Sequence, residues 1–325
     1  MKKIVYWLIL LCVFLFPITI FAYSDHIIVG GETIGIEVHS NGIYVVGFYD
    51  VSSHDIAREA GFEIGDIIKK IDSKDVVSIS DLNEILSEEK NYKFQVLRKD
   101  KNINISLDVV EDESVLKTGL YVKDQINGIG TLSYIDPETK IFGSLGHEIL
   151  ESNSMSKFQI ENGKIYKAEV SAIKKSSDGR TGEKSAIIDK DEEKGNIVLN
   201  EEKGIFGIYN DDVDSKEVLS IAEKEEIKQG KATIRTVLED SNVKDFDIRI
   251  LSIDESSSTK NIFFEIVDDK LLKKTGGIVQ GMSGSPILQN DKIIGVVNYV
   301  VVEDASKGYG IFITSMLEEG DKILS

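Results

Sequence analysis

Residues 113–325 contain many short β-type segments separated by glycine turns, and this pattern constrains the fold more than any other feature of the sequence. Apolar runs bounded by turn residues recur at 128–135, 167–173, 205–209, 232–237 and 247–253. Many short strands at such a spacing are typical of a β-barrel or a β-sandwich. We therefore predict a mainly β domain, in which the charged stretch 174–194 forms an exposed loop and 215–229 holds one helix.

The composition narrows the classes of function. With 41% hydrophobic residues, the 325-residue chain has enough apolar side chains to build cores and is not a disordered tail. Its net charge is −18, whereas nucleic-acid binding needs a basic surface, so no nucleic-acid partner is expected. Cys12 is the only cysteine, which excludes a disulfide framework and cysteine-based metal sites.

The N-terminal segment has the pattern of an export signal. Lys2 and Lys3 precede an apolar run over 4–22, and Ala22 is a small residue at a possible cleavage point. The run is also nearly long enough to span a bilayer, so residues 1–24 are either a signal peptide or a signal anchor helix. In both cases the lysines stay inside and the rest of the chain lies outside the cytoplasmic membrane.

Residues 27–112 are predicted to form a small α+β domain. Two strands, 34–38 and 43–48, flank a turn, and two short helices and a hairpin follow. The expected elements after the turn are a helix over 56–61, a strand in 64–72, a helix over 80–86 capped by Ser80, and a hairpin of 92–98 with 103–109. The segment 60–68, Ala-Gly-Phe-Glu-Ile-Gly-Asp-Ile-Ile, resembles the core motif of PDZ domains of the bacterial protease-associated kind.

A PDZ domain binds an extended peptide or a C-terminus by adding it as a strand to a sheet edge. By position, Gly35 and Ile36 are the candidate peptide-binding residues. The alternative is a domain that packs on its neighbour and binds nothing, because a fold alone does not define a function.

The loop Gly-Met-Ser-Gly-Ser-Pro at 281–286 precedes an apolar run and is the candidate nucleophile loop. Glycines allow a tight turn and a close approach of substrate. The N–H groups of Gly281 and Ser283 are candidate donors of an oxyanion hole. The alternative at this point is an ordinary turn between two strands.

A nucleophilic serine needs a histidine as general base and an acid that orients it. Of the four histidines, only His147 follows a strand and a glycine within the second domain. Asp268 ends an apolar strand shortly before the serine loop and is the preferred acid. The other candidate acids are Asp269, Asp136 and Glu148.

Taken together, the 281–286 loop, the segment Phe-Gly-Ser-Leu-Gly-His-Glu-Ile at 142–149 and the preceding PDZ-like domain resemble the stage IV sporulation protein B (SpoIVB) serine peptidases. The resemblance implies a chymotrypsin-like β-barrel peptidase domain over 113–325. It also implies a serine endopeptidase without a cofactor, with Ser283 as nucleophile, His147 as base and Asp268 as acid. The N–H groups of Gly281 and Ser283 would form its oxyanion hole. The chain departs from the family at Asn298-Tyr299, where a threonine and a histidine are expected.

The resemblance further implies partners and a location. Members of the family are exported into the space between the two forespore membranes. There they cleave a membrane-associated regulator of an intramembrane protease, which activates a late sigma factor, and they also cleave themselves. The PDZ domain contributes to recognition of substrate and of the chain itself.

Two other classes of function remain as alternatives. An inactive exported binding protein would use the PDZ-like domain for a partner and the second domain as scaffold. A metal-dependent hydrolase is disfavoured, because the second domain holds one histidine and no cysteine. No metal site is predicted.

Overall fold

A computed structural model describes residues 23–177, 179–213 and 216–324. The predicted signal peptide or anchor helix lies outside the described residues, apart from its last two positions. Among the described residues, no helix has both the length and the apolar character needed to cross a bilayer.

The described chain is mainly β. Its strands are β1 (His26–Val29), β2 (Thr33–Phe48), β3 (Ile67–Ile71), β4 (Lys74–Asp75), β5 (Lys90–Arg98), β6 (Lys101–Asp112), β7 (Val115–Lys117), β8 (Leu120–Ile135), β9 (Ile141–Ser144), β10 (Ile160–Lys174), β11 (Gly182–Glu201), β12 (Gly204–Tyr209), β13 (Val218–Ile221), β14 (Gly230–Val237), β15 (Val243–Ile253), β16 (Ile262–Ile266), β17 (Val279–Gln280), β18 (Pro286–Gln289), β19 (Lys292–Val300) and β20 (Lys307–Phe312). The helices are α1 (Ile56–Glu59), α2 (Ile79–Ile85), α3 (Asp269–Thr275) and α4 (Ile313–Gly320), with 3₁₀ turns at Lys224–Glu226 and Asp321–Leu324.

The small domain has the predicted α+β character, with two short helices and a hairpin. Helices α1 and α2 pack with β3, β5 and β6 around one apolar core, which includes Phe62, Leu82 and Phe94. Helix α2 is capped by Ser78, not by the predicted Ser80. The Ser78 hydroxyl accepts a hydrogen bond from the N–H of Asp81, whose carboxylate accepts one from the N–H of Ser78.

Strand β2 joins the two domains. The predicted turn at 40–42 is absent, and the backbone continues as one strand over 33–48 with an irregularity between His39 and Tyr44. Its first half packs in a core with β8, β9 and β10, whereas Ile43 and Val45 pack in the core of the small domain. Strand β8 also belongs to both domains, because it runs antiparallel to β2 and pairs with both halves of it.

The long β2 strand corrects the expectation for Gly35 and Ile36. On one side these residues pair with Tyr166 and Ile165 of β10, and on the other with Ile129 and Gly128 of β8. Peptide binding by strand addition requires a free edge. Both edges are occupied at Gly35 and Ile36, so these residues are not a peptide-binding edge in this structure.

The second domain has separate apolar cores. One is built around β2 and β8–β12 and includes Phe142 and Leu145, next to His147. Another is built around β14–β20 and includes Met282 and Ile287, on either side of Ser283. The predicted base and nucleophile thus extend from different cores.

Two local expectations in the second domain are wrong. Most of the charged stretch 174–194 is not a loop, because 182–194 belong to β11, which pairs with β10 as a long antiparallel hairpin; the described residues between Lys174 and Gly182 form its connection. Most of its charged side chains are exposed on the strand surface, which explains the loop-like composition. Instead of the helix expected over 215–229, the described part of this region has strand β13 and one 3₁₀ turn.

Candidate active site

The loop between β17 and β18 presents Ser283. Gly281 and Gly284 adopt φ values of +91° and +92°, in the region that favours glycine. A Cβ at residue 284 would lie 2.2 Å from the carbonyl oxygen of Thr131. The motif therefore needs glycine at 284 for a close packing contact as well as for the turn.

The two serines of the motif have different surroundings. Ser283 is partly accessible, and its hydroxyl donates a hydrogen bond to the carbonyl oxygen of Asn298 at 3.4 Å. Ser285 is fully buried, and its Oγ lies 3.4 Å from Oγ1 of Thr131. A substrate can reach Ser283 without displacing core residues, whereas Ser285 belongs to the interior.

Thr131 of β8 supports the loop from beneath. Its N–H donates to the carbonyl of Ser283 at 3.0 Å, and its hydroxyl donates to the carbonyl of Gly281 at 2.8 Å. The carbonyl of Thr131 in turn accepts a hydrogen bond from the Ser144 hydroxyl at 2.6 Å. Thr131 is fully buried, and nothing in the local sequence indicated this long-range role.

The backbone N–H groups of the serine loop can be compared through their turn and loop hydrogen bonds. In the described part of the chain, the N–H groups of Met282, Gly284 and Ser285 donate to the carbonyls of Val279, Val297 and Met282, respectively. The same set of loop hydrogen bonds does not use the N–H of Gly281 or Ser283. These are the two donors predicted for the oxyanion hole, and their role stays a prediction.

His147 follows β9 and lies against β19. Gly146 places the chain close to β19, since a Cβ at this residue would lie 3.0 Å from a methyl of Val296. The imidazole stacks on the ring of Tyr299, with a centroid distance of 5.8 Å and an interplanar angle of 23°. Its Nδ1 lies 2.9 Å from the carbonyl oxygen of Glu148.

This contact defines the useful tautomer of His147. A carbonyl oxygen only accepts, so Nδ1 carries the hydrogen and Nε2 of a neutral ring is free to take a proton. Burial lowers the pKa of His147 below its ordinary value, against the opposing effects of the hydrogen bond and the carboxylate of Glu148. A lowered pKa keeps the ring neutral, which is the state that a general base requires.

The structure brings His147 and Ser283 to neighbouring residues of one strand. Ser283 contacts the carbonyl of Asn298, and His147 stacks on Tyr299. These are the two positions at which the sequence departs from the family pattern. The predicted base and nucleophile therefore contact adjacent residues of β19, although they come from different cores.

Asp268 has a structural contact of its own. It is the N-cap of α3, and its Oδ1 accepts a hydrogen bond from the N–H of Leu271 at 2.8 Å. Within the described residues, no hydrogen bond or ion pair joins Asp268 to His147. Its role as the catalytic acid stays a prediction that rests on the resemblance.

The alternative acids differ in their surroundings. Asp136 is buried in a turn, where it accepts hydrogen bonds from the N–H groups of Glu138 and Thr139. Asp269 is exposed in the first turn of α3. Glu148 contacts His147 through its carbonyl and acts on it electrostatically through its carboxylate.

A further buried polar residue, Lys184, lies behind the loop. Local sequence reasoning missed it because it belongs to the charged stretch that was expected to be exposed. No group of three or more His, Cys, Asp or Glu side chains arranged to hold a metal occurs within the described ranges.

Comparison with known families gives two matches. The family described as SpoIVB peptidase S55 matches residues 114–317, and the PDZ domain family matches residues 33–109. No curated protein matches the chain significantly.

Solved structures with detectable similarity include two forms of the Rv3671c protease. The active form, from M. tuberculosis, has 13% identity and a TM-score of 0.34, covering 58% of this chain and 71% of that chain. The inactive form has 15% identity and a TM-score of 0.33, covering 61% and 85%, respectively.

Proposed function

Since the chain belongs to the SpoIVB peptidase S55 family and is a serine peptidase with a PDZ domain, we propose that it is an exported endopeptidase of sporulation. Its substrate is a membrane-associated regulatory protein in the space between the two forespore membranes. Cleavage of that regulator triggers activation of a late sigma factor, and the peptidase also cleaves itself. The family match supports this role, and the basic start of the apolar segment 4–22 supports export.

The fold of the peptidase domain is proposed to be of the chymotrypsin type. In that arrangement the base comes from the first barrel and the nucleophile from the second. The positions of His147 and Ser283 beside different apolar cores agree with it. So does the chain order His147, Asp268, Ser283.

The reaction is acyl transfer to Ser283. The Ser283 hydroxyl leaves the carbonyl of Asn298, turns to Nε2 of His147 and attacks the peptide carbonyl carbon while His147 takes its proton. The oxyanion that forms accepts hydrogen bonds from the N–H groups of Gly281 and Ser283. His147 then gives the proton to the leaving amine. Water next attacks the acyl carbon while His147 takes its proton, and His147 returns that proton to Ser283 Oγ as the acid product leaves.

Asp268 is the proposed acid of the triad. In the described arrangement, the Glu148 carbonyl already holds Nδ1–H of His147, which provides the orientation that a triad acid supplies. The added contribution of Asp268 is a negative charge that stabilises the imidazolium.

The PDZ domain is proposed to bind an extended segment or a C-terminus of the substrate, or of the chain itself. Gly35 and Ile36 are not its contact residues, since both edges of β2 are occupied there. Binding at the PDZ domain places the substrate near Ser283 at a high local concentration.

The observation that carries the peptidase mechanism is the contrast between accessible Ser283 and buried Ser285. Its test is labelling of the purified full-length protein with a fluorophosphonate, together with mass spectrometry of self-cleavage products. We expect Ser283→Ala to abolish both reactions and Ser285→Ala to retain them. Labelling and self-cleavage at the wild-type rate in Ser283→Ala would exclude Ser283 as nucleophile, and no labelling of the wild type would favour an inactive scaffold.

The sporulation role needs a separate experiment in cells. The chain would be expressed in an endospore-forming bacterium that lacks its own peptidase of this family, with a reporter for the late sigma factor. We expect the wild type to restore the reporter and Ser283→Ala to leave it silent. A catalytically active protein that reaches the membrane and leaves the reporter silent would contradict the role in this pathway.

A further inference from the structure

The residue behind Gly281 is a buried lysine. Lys184 of β11 is 4% exposed, and its Cβ and Cδ each lie 3.3 Å from the position that a Cβ at residue 281 would occupy. The adjoining residues of β11 and β17 are paired in parallel, with Glu183 opposite Gln280. The aliphatic part of the Lys184 side chain therefore packs directly against Gly281, the first glycine of the serine loop.

The amine of Lys184 ends in the interior. Its Nζ donates a hydrogen bond to Oγ1 of Thr236 at 2.9 Å, and Thr236 is fully buried on β14. A lysine is rarely buried without a partner of opposite charge, because the ammonium ion is expensive to remove from water.

The charged groups on the surrounding strands face away from Lys184. Glu183, its neighbour on β11, pairs with Lys174 of β10 on the surface. Arg235 of β14 pairs with Asp245 and Glu217 on the outer side. In the strand pairings, Lys184 lies opposite Ile173 of β10, and β17 contributes no charged residue.

Lys244 of β15 lies opposite Thr236 and is exposed. Asp240 follows β14 and forms a β-bridge with Val170 of β10, where its backbone N–H and carbonyl both pair with Val170. Within the described residues, no carboxylate forms an ion pair with Lys184. Burial is the cause of its altered titration, and it lowers the pKa of Lys184 to about 7. The amine is therefore largely neutral in mildly alkaline solution and becomes a buried, unpaired cation as the pH falls.

We propose that Lys184 is a positioning residue of the peptidase reaction, whose side chain holds Gly281 so that the Gly281 N–H is aligned for the oxyanion. The stem fixes the glycine from behind, and the hydrogen bond to Thr236 fixes the stem. Protonation of the Lys184 amine creates a buried charge, which favours movement of the amine toward water. That movement would disturb the packing of the Lys184 side chain against Gly281. This inference rests on the proposed role of the Ser283 loop.

The test follows the rate of fluorophosphonate labelling of the full-length protein between pH 5 and 9, resolved into kinact and KI. Three variants are compared with the wild type: Lys184→Met keeps the stem without the amine, Lys184→Ala removes the stem, and Lys190→Met is a matched change at an exposed lysine of the same strand. Circular dichroism reports whether each variant is folded.

We expect Lys184→Ala to lower kinact about tenfold at pH 8 with KI within twofold, since alignment of one oxyanion donor affects the chemical step. Lys184→Met keeps kinact within about threefold at pH 8. The wild type and Lys190→Met lose activity as the pH falls through about 7, the pKa of Lys184. Lys184→Met has lost this ionisation, so its activity extends to lower pH, where only protonation of His147 limits it. If Lys184→Ala does not fold, the pH profile of labelling in Lys184→Met, compared with that in Lys190→Met, tests the role of Lys184.

Labelling that depends on Ser283, with the same pH profile in Lys184→Met as in the wild type, would overturn the role of Lys184 alone. A loss confined to KI in Lys184→Ala would also overturn it, because the residue would then affect binding only. Labelling that persists in Ser283→Ala would overturn the proposed nucleophile together with this inference.

Discussion

The carboxylate of Asp268 accepts a hydrogen bond from the backbone N–H of Leu271 at 2.8 Å, so the predicted catalytic acid is also the N-cap of α3. A substitution of Asp268 can therefore affect both the stability of α3 and catalysis. An asparagine is as good an N-cap as an aspartate, whereas alanine loses the cap at a cost of about 1 kcal/mol.

Asp268→Asn therefore separates catalysis from helix capping. We expect Asp268→Asn to leave the melting temperature almost unchanged and to lower the rate of peptide cleavage by a factor of 100 or more, if the charge stabilises the imidazolium. Asp269→Asn is the matched control at an exposed neighbour. A cleavage rate that is unchanged in Asp268→Asn and lost in Asp269→Asn would move the acid to Asp269.

Thr131 is expected to matter through its hydroxyl. Thr131→Val keeps the shape but removes the hydrogen bond to the Gly281 carbonyl, which leaves a buried acceptor unsatisfied. We expect a loss of roughly 1–3 kcal/mol in unfolding free energy and a lower rate of fluorophosphonate labelling. Thr131→Ser retains a hydroxyl and should recover most of both. Equal labelling by Thr131→Val and the wild type would show that this hydrogen bond does not position the loop.

Tyr299 is expected to control the pKa of His147. Burial depresses this pKa, and the stacked ring of Tyr299 contributes to that burial. Tyr299→Ala admits water, so the pKa of His147 should rise toward its ordinary value, whereas Tyr299→Phe keeps the ring and should leave the pKa unchanged. NMR titration of the imidazole measures this directly. A pKa in Tyr299→Ala equal to that of the wild type would exclude Tyr299 as the shielding group.

Lys184 should make stability depend on pH above neutrality. Its pKa is lowered to about 7 in the folded protein, whereas an unfolded lysine titrates near 10.4. Between these values the unfolded state binds more protons, so stability rises with pH; the penalty is complete below about 7 and absent above about 10.4. Relative to Lys184→Met, the wild type should gain about 2 kcal/mol of unfolding free energy between pH 7 and pH 9.

Urea denaturation at the two pH values measures that gain. Comparison with Lys184→Met cancels the titration of groups common to both proteins. A constant difference between the two proteins across this range would mean that Lys184 is not neutral when folded.

Local chemistry made several features predictable. The glycine-flanked Ser283, the short β segments and the helix–strand order of the small domain depend on backbone preferences and on alternation within a few residues. The family matches confirm the predicted peptidase family and the PDZ domain. Local patterns also misled: the charged composition of 174–194 indicated a loop, but long strands can carry charges on their exposed face.

The class of protein and the serine motif could be recognised from the order of amino acids, because turns, strand periodicity and a short catalytic motif are encoded by neighbouring residues. The folded chain was needed to see that Ser285 is buried, that Thr131 and Lys184 contact the serine loop, and that β2 has no free edge at Gly35. Burial and hydrogen bonding of these residues depend on partners far away in the chain. Thr131 and Gly281 are separated by 150 positions in the sequence, so a pattern of neighbouring residues does not predict their hydrogen bond.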